Sequence, residues 1–303
     1  MMNMYGTSLP DYVLRWIIHS VDPSVQVESV YKLKGSTSSL LHGIALRVGD
    51  SVKHYVLRQF DNRDWLVKEP DLAVHEAASL QMADSVKVAV LEVIANDALG
   101  DHCGVPAVLM TKLEGTVELK PDDQDRWLDG LAGALADIHS LDADGFPYEY
   151  FPYNDADSFD VPYWSGVPGL WEKVLDLVKG SRPDAHECFI HRDYHPANVL
   201  WKNGNVSGVV DWVNACKGPR EVDIGHCRLN LAMLYGPEWA NRFLLAYKRY
   251  AGKRFTYDPY WDVIALIDFL DGPPEVYPGW EAFGVTGLTD SLIKKRLDAF
   301  IQV

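Results

Sequence analysis

The 303-residue chain lacks several features that would assign it to other classes of protein. It has no run of about eighteen apolar residues, which a membrane-spanning helix needs. Its first residues show no basic stretch followed by an apolar one, so a secretory signal is not expected. The four cysteines show no C-x-x-C spacing, which argues against a zinc site and favours buried, reduced thiols. We therefore expect a cytoplasmic protein without a membrane partner.

Basic residues are also scarce. The chain has 28 lysines and arginines against 43 acidic residues, which gives a net charge of −15. A nucleic-acid-binding protein needs a basic surface, so no nucleic-acid partner is expected. No internal repeat is visible, and the length is sufficient for a sizeable core divided into two lobes.

One segment carries most of the functional information: residues 191–211, HRDYHPANVLWKNGNVSGVVD. His191 is followed by Asp193, Asn198 comes after four intervening residues, and Asp211 ends the next apolar run. This spacing is typical of the H-R-D-x-x-x-x-N loop of phosphoryl-transfer enzymes, with a later metal-binding Asp. The alternative is a set of loop residues that bond only their own backbone.

The residue types suit phosphoryl transfer from ATP. A γ-phosphoryl group in transit carries charge on three oxygens, and the Mg²⁺ that neutralises this charge prefers hard oxygen ligands. The Asp211 carboxylate and the Asn198 amide oxygen are such ligands. An acceptor hydroxyl also needs a carboxylate that orients it and takes its proton, which is the role we predict for Asp193.

A hairpin is predicted to bring the two metal ligands together. The Asn-Gly dipeptide at 203–204 lies between two β-prone runs and indicates a type I′ turn. A turn centred there places Asn198 opposite Val209. Asn198 and Asp211 then become diagonal neighbours, which are roughly 7–8 Å apart in a sheet.

HRDYHPANVLW followed by GVVDW resembles the aminoglycoside phosphotransferase and choline kinase family of kinase-like enzymes. The resemblance implies an α+β, two-lobed, protein-kinase-like fold with a small N-terminal lobe, built on an antiparallel sheet, and a larger, mainly helical C-terminal lobe. We expect residues 1–112 to form the nucleotide-binding lobe and residues 113–303 the catalytic and acceptor-binding lobe. The resemblance further implies ATP and Mg²⁺ as cofactors, and Asp223 as a support of the catalytic loop.

Three β-prone runs, at 25–33, 40–48 and 52–60, suit the sheet of the N-terminal lobe. The loop between the first two contains Ser36 and Thr37, whose backbone N–H groups are predicted to contact nucleotide phosphates. This loop does not match G-x-G-x-x-G, so an ordinary polar hairpin loop is the alternative.

Arg58 lies near the end of the third run, where the kinase pattern has a Lys that pairs with phosphates and with a helix Glu. Arginine makes the same contacts bidentately, and members of the resembled family often show a similar V-L-R. Glu76 lies in a helix predicted over 71–82 and is the expected partner. A solvated arginine at a strand edge is the alternative.

The run 105–113 (VPAVLMTKL) predicts a buried strand. The resemblance makes it the connector between the lobes, in which the backbone from Thr111 to Leu113 would hold the edge of the adenine. Residue patterns alone indicate only a core strand.

The segment after Asp211 favours a small-molecule kinase over a protein kinase. WVNACKGPREVDIGHCR contains no Ser, Thr or Tyr and no A-P-E, so it has no phosphorylated activation loop. A nucleotide-binding module without activity usually lacks the base or a metal ligand, and here all three residues are present.

The acceptor is expected to be a small hydroxylated molecule with positive charge, such as an aminoglycoside or an amino alcohol. Residues 127–172 and 255–293 contain many acids and aromatics but no Lys or Arg, and such surfaces attract cations. The acids of the second stretch are Asp258, Asp262, Asp268, Asp271, Glu275, Glu281 and Asp290. Acids that face bulk water are the alternative, and a macrolide, a sugar or another neutral acceptor stays open, as does GTP as the donor.

Overall fold

A computed structural model describes residues 9–33, 38–270 and 272–302. These residues group into two compact units. The first combines residues up to 84 with residues 89–114, and the second combines residues 85–88 with those from 115 onward.

The first unit contains a five-stranded sheet. Its strands are β1 (Gln26–Lys32), β2 (Leu40–Val48), β3 (Ser51–Gln59), β4 (Val93–Asp97) and β5 (Ala107–Thr111). They pair antiparallel in the order β1-β2-β3-β5-β4. The tight β2–β3 hairpin turns at Gly49, whose φ of +59° suits glycine. The antiparallel N-terminal sheet expected from the sequence is therefore present.

Three helices complete the first unit: α1 (Asp11–Val21), α2 (Arg63–Lys68) and α3 (Leu72–Ala83). Val13 and Ile17 of α1 are fully buried and share a core with Ile44 and Leu57 of the sheet. Their spacing of four residues places both on one helix face, which explains why this helix packs rather than frays.

The second unit is mainly helical, with two small antiparallel sheets. Its strands are β6 (Thr116–Val117), β7 (Glu187–Ile190), β8 (Val199–Lys202), β9 (Asn205–Val209) and β10 (Cys216–Pro219). Its helices are α4 (Gln124–Ile138), α5 (Pro168–Val178), α6 (Arg220–Tyr235), α7 (Pro237–Ala251), α8 (Tyr260–Phe269), α9 (Gly279–Ala282) and α10 (Asp290–Phe300). One sheet has the order β6-β8-β9, and β7 pairs with β10 in the other.

Helix α6 lies at the centre of this unit and packs against α7, α8 and α10. Nearly all of its side chains are buried, including charged ones such as Glu221, Asp223 and Arg228. Buried charges must be paired or hydrogen-bonded, so these residues have specific partners, which are described below. Across the described residues, no helix combines the length and apolarity that crossing a bilayer requires.

The β8–β9 hairpin turns at Asn203 and Gly204, as predicted, and both residues have positive φ. The two residue pairs next to the turn have the predicted register, but the pairs farther from the turn are shifted by one residue. Leu200 pairs with Gly208 whereas Trp201 pairs with Val206, so Ser207 forms a bulge. The prediction that Asn198 lies opposite Val209 was therefore wrong.

All four cysteines (Cys103, Cys188, Cys216 and Cys227) are buried and free, as expected. Burial raises the pKa of the Cys103 thiol to about 12. These side chains therefore act as small apolar groups in the two cores.

Candidate active site

The loop formed by residues 191–198 connects β7 to β8, and Asp223 of α6 holds its backbone. The fully buried Asp223 carboxylate accepts hydrogen bonds from the N–H groups of His191 (2.8 Å) and Arg192 (2.6 Å). His139 Nε2 lies 3.0 Å from the same carboxylate. The supporting role expected of Asp223 is thus visible in its contacts.

His191 joins the 191–198 loop to the end of β9. Its Nε2 donates to the carbonyl of Val210 (3.0 Å), so Nδ1 is the acceptor for the N–H of Asp193 (3.3 Å). The ring is completely buried. His191 therefore fixes the position of Asp193 relative to Asp211, which follows Val210.

Both oxygens of the Asp193 carboxylate are engaged. Asn198 Nδ2 donates to Oδ2 (3.1 Å) and to the backbone carbonyl of Asp193 (2.9 Å). His226 Nε2, from α6, lies 3.1 Å from Oδ1, and His195 Nε2 lies 3.7 Å from the same atom. The carboxylate is therefore oriented from two sides while 30% of the side chain stays exposed.

His195 and His226 lower the pKa of the Asp193 carboxyl, and their own pKa values are shifted as well. Burial disfavours an ionised Asp193, but His195 and His226 outweigh it and hold the pKa of the carboxyl well below its usual range. Burial lowers the pKa of His195 to about 4. Burial also acts to lower the pKa of His226, but its hydrogen bond to Asp193 reverses the sign and raises that pKa. The Asp193 carboxylate is consequently ionised at neutral pH.

Asn198 and Asp211 meet through the backbone, since the N–H of Val210 donates to the carbonyl of Asn198 (3.0 Å). The bulge thus brings Asp211 one position closer to Asn198 than the predicted register did. Asp211 has a φ of +69°, a conformation that Asp tolerates better than most residues. The amide nitrogen of Asn198 points to Asp193, which leaves its amide oxygen as a ligand atom. An amide oxygen and a carboxylate are hard donors that fit Mg²⁺.

In the first unit, Arg58 and Glu76 form the predicted ion pair. Arg58 Nη1 lies 2.8 Å from Glu76 Oε1, and Arg58 Nε donates to Ser39 Oγ (3.0 Å). The two charged side chains are only 5% and 3% exposed. The alternative of a solvated arginine at a strand edge is therefore excluded.

The remaining residues predicted to bind nucleotide are less clearly placed. Ser36 and Thr37 lie outside the described residues. The N–H groups of Thr111 and Lys112 donate to the carbonyls of Glu92 (2.9 Å) and His54 (3.0 Å). Thr111 can thus offer an adenine only its carbonyl, whereas the N–H of Leu113 has no partner within the described residues.

A cavity of about 210 Å³ lies beside Asp193, within the second unit. Besides Asp193, its wall contains the side chains of Arg192, His226 and Asp268. The lining residues are Tyr150, Tyr153, Arg192, Asp193, Asn214, Val222, His226, Trp261, Ile264, Ala265, Asp268 and Phe269. Sequence reasoning missed Arg192, Asn214 and His226. Arg192 stood inside the recognised motif, but nothing in the sequence placed Asn214 or His226 beside Asp193.

Most acids of the 255–293 stretch lie outside the lining of this cavity, so the expected cation-attracting surface stays a prediction. Asp262 is buried and paired bidentately with Arg228 (2.8 and 2.9 Å), so its charge is already neutralised. Asp258 accepts from the N–H of Tyr260, and Asp290 from that of Val276. Of the predicted acids, Asp268 alone lines the cavity among the described residues, and Asp271 lies outside them.

Comparison with known proteins agrees with this geometry. The homoserine kinase of Methylorubrum populi is 29% identical over 184 residues, which are 55% of this chain and 54% of that protein. The aminoglycoside 3'-phosphotransferase of Enterococcus faecalis is 24% identical over 143 residues, 42% of this chain and 54% of that protein. The chain spans about half the length of these curated relatives.

Solved structures extend the likeness to nearly the whole chain. The crystal structure of aminoglycoside phosphotransferase APH(4)-Ia has a TM-score of 0.61 at 17% identity and covers 96% of this chain and 98% of its own. Macrolide 2'-phosphotransferase MphH from Brachybacterium faecium has a TM-score of 0.58 at 16% identity and covers 94% and 98%. These likenesses show the expected two-lobed kinase-like fold. The model of the phosphotransferase enzyme family matches residues 45–267, well over half of the sequence, and the chain therefore belongs to that family.

Proposed function

We propose that the protein transfers the γ-phosphoryl group of ATP to a hydroxyl group of a small molecule. The observation that carries the proposal is the Asp193 carboxylate, which Asn198 and His226 orient at the wall of a small cavity. Family membership supports it, since the curated relatives include kinases named for homoserine and for aminoglycosides.

Asp193 acts on the acceptor hydroxyl. Its ionised carboxylate accepts a hydrogen bond from the hydroxyl and takes the proton as the acceptor oxygen bonds to the γ-phosphorus. The bond between that phosphorus and the bridging oxygen breaks on the side opposite the acceptor, and ADP leaves. Because His226 and Asn198 fix the carboxylate, little reorientation is needed when the acceptor enters.

Asn198 and Asp211 are proposed to hold Mg²⁺ through the Asn198 amide oxygen and the Asp211 carboxylate. Bound Mg²⁺ would neutralise charge on the phosphate oxygens. The hydrogen bond from Asn198 Nδ2 to Asp193 keeps the amide oxygen turned away from the base. Asn198 therefore links the proposed metal ligands to the proposed base.

Residues of the first unit are proposed to bind the nucleotide. The Arg58 guanidinium, held by Glu76, is proposed to contact phosphates, together with the loop containing Ser36 and Thr37. The Thr111 carbonyl and the Leu113 N–H are proposed to contact the base. These groups recognise a purine and its phosphates, so ATP and GTP must be compared directly.

A protein substrate is disfavoured by the segment after Asp211. Strand β10 begins at Cys216 and pairs with β7, and α6 follows directly at Arg220. This ordered path contains no extended loop of the kind that regulates protein kinases.

A coupled ADP-release assay tests the proposal. Purified protein is screened with ATP and with GTP against hydroxylated amino acids, amino alcohols, aminoglycosides, macrolides and sugars. We expect acceptor-dependent ADP release that Asp193→Asn lowers by about 10²–10⁴-fold. Asp176→Asn, at an exposed position of α5, is the matched control and should retain wild-type activity. Acceptor-dependent turnover that survives in Asp193→Asn would refute the assigned role.

A further inference from the structure

Two residues in the wall of the cavity beside Asp193 each carry a buried polar atom that has no hydrogen-bond partner among the described residues. These atoms are Nε of Arg192, a donor, and Oδ1 of Asn214, an acceptor. Buried polar groups in native proteins are normally satisfied, and each exception is costly. Their presence on two residues of one cavity wall indicates a ligand with complementary groups.

Arg192 is held in an unfavourable conformation. Its φ is +65°, a region that suits glycine and costs other residues free energy. The guanidinium carbon lies 4.1 Å from the ring centre of Phe151 and 4.0 Å from that of Tyr153, and Nη2 donates to the Phe151 carbonyl (2.6 Å). The cation is thus fixed in place at the cavity wall.

The only carboxylate of the cavity wall recorded as acting on this cation, that of Asp268, does so electrostatically and not through a salt bridge among the described residues. Within the described residues, Arg192 forms no salt bridge, although it is only 5% exposed. The Asp223 carboxylate accepts from its backbone N–H and not from its guanidinium. An anionic group on a ligand would give this buried cation the direct ion pair that it lacks among the described residues.

An acid lies in the wall of the same cavity. The Asp268 carboxylate accepts from the backbone N–H groups of Tyr153 (3.0 Å) and Asn154 (3.1 Å), which fix its position. Burial raises the pKa of Asp268, although its hydrogen bonds and the Arg192 cation act in the opposite direction. Asp268 and the Asn214 oxygen together provide acceptors for an ammonium group.

We infer that the acceptor is a small zwitterion, a hydroxylated amino acid, whose carboxylate binds Arg192 and whose ammonium group binds Asp268 and Asn214. This inference rests on the proposed phosphotransfer to a hydroxyl held by Asp193. It differs from the cationic acceptor expected from the sequence in the added carboxylate.

The cavity volume agrees with such a molecule. About 210 Å³ is the space of roughly seven water molecules at about 30 Å³ each, which suits an acceptor with a similar number of heavy atoms. An aminoglycoside is several times larger. Its positive charges would also be repelled by Arg192.

Three matched acceptors test the assignment of charges. Homoserine carries both groups, 3-aminopropan-1-ol lacks the carboxylate, and 4-hydroxybutyrate lacks the ammonium group. In the ADP-release assay, we expect kcat/KM for homoserine to exceed that of either analogue by about 10- to 100-fold, because each lost contact is a charged hydrogen bond. Serine and threonine extend the series to shorter hydroxylated amino acids.

Two variants separate recognition from folding. Arg192→Gly removes the cation and suits the positive φ, so the backbone conformation of the loop can be kept. It should raise KM for homoserine about 10- to 100-fold and leave KM for 3-aminopropan-1-ol unchanged. Asp268→Asn should raise KM for both amines and spare 4-hydroxybutyrate. A merely structural role would affect all three acceptors alike.

Two results would overturn the inference. If aminoglycosides or choline give the highest kcat/KM and Arg192→Gly improves it, the cavity selects cations, and phosphotransfer stands without the zwitterion. If no acceptor of any class stimulates ADP release and calorimetry detects no MgATP binding, the proposed function fails, and the inference fails with it.

Discussion

His226 Nε2 lies 3.1 Å from Oδ1 of Asp193, so a side chain of α6 orients the carboxylate that is proposed to act as the base. Asp223, one turn earlier on the same helix, holds the backbone of the 191–198 loop. Helix α6 thus fixes both the path of this loop and the direction of its key side chain.

Substitution of His226 separates its hydrogen bond from its charge. His226→Gln retains a donor without the charge, whereas His226→Phe removes both. Because a hydrogen bond to a charged group is worth about 1.5–3 kcal/mol, we expect His226→Phe to lower kcat about 10- to 100-fold. His226→Gln should lose much less. Steady-state kinetics of both variants measure this, and equal losses would show that orientation by the hydrogen bond is not the cause.

The same pair predicts a pH dependence of stability. His226 has a raised pKa in the folded protein, so its contribution is fully present below the ordinary value of 6.5 and is lost as pH rises through the raised pKa. Asp193 has a lowered pKa, so its contribution is present above 3.8 and is lost as pH falls through the lowered pKa. The pair should therefore stabilise the fold most between these limits.

Thermal unfolding across this range tests the pH dependence. The decrease in Tm above pH 6.5 should be smaller in His226→Gln than in the wild type. Asp193→Asn should show the same flattening, and combining the two substitutions should add little. A wild-type slope in His226→Gln would assign the titration to another group.

The proposed metal ligands predict a change in the Mg²⁺ requirement. Asn198→Ala and Asp211→Ala should each raise the Mg²⁺ concentration for half-maximal activity and weaken MgATP binding. Asn198→Asp is the informative companion, since it keeps an oxygen ligand but loses the donor to Asp193. Calorimetry with MgATP measures the affinity, and an unchanged value in Asp211→Ala would disprove the metal assignment.

Substitutions in the Arg58–Glu76 ion pair can separate its contribution to MgATP binding from its contribution to the stability of the fold. Removing one partner of a buried ion pair costs about 3–5 kcal/mol, so Arg58→Met should be destabilised strongly. Replacing both residues, as Arg58→Met with Glu76→Leu, should restore much of that stability but not the affinity for MgATP. Urea unfolding and calorimetry report the two quantities. Wild-type affinity in the double variant would make the pair purely structural.

Asp262 and Asp268 are close in sequence, but we expect their substitution by Asn to have different effects. Asp262→Asn breaks the bidentate pair with Arg228 and should lower the free energy of unfolding by about 3–5 kcal/mol with little effect on acceptor KM. Asp268→Asn should raise KM for an amine-bearing acceptor with a smaller loss of stability. An elevated acceptor KM in a fully stable Asp262→Asn would contradict the structural assignment.

Much of the fold followed from local patterns. The three β-prone runs correspond to β1, β2 and β3 of the first unit, and the helix predicted over 71–82 is α3. The turn at Asn203 and Gly204 was predicted because few residues other than Asn and Gly adopt the positive φ angles of a type I′ turn. Strands β7 and β10 were missed, since each is only four residues long and pairs with a distant partner.

The sequence by itself determined which polar side chains the 191–198 loop carries. The spacing of His191, Asp193 and Asn198 is local, and local spacing within a loop survives folding. The bulge at Ser207 was not determined locally, because strand register depends on packing at both ends of the hairpin.

Only the tertiary structure decided which charges line the cavity beside Asp193. Acids that are neighbours in sequence point to different partners: Asp262 neutralises Arg228, whereas Asp268 lines the cavity. His226 and Asn214 reach the cavity from segments that are distant from Asp193 in the sequence, and aromatic rings hold the Arg192 cation in the cavity wall. Net charge is a property of the sequence, but the charge of a cavity is set by which side chains the fold buries together.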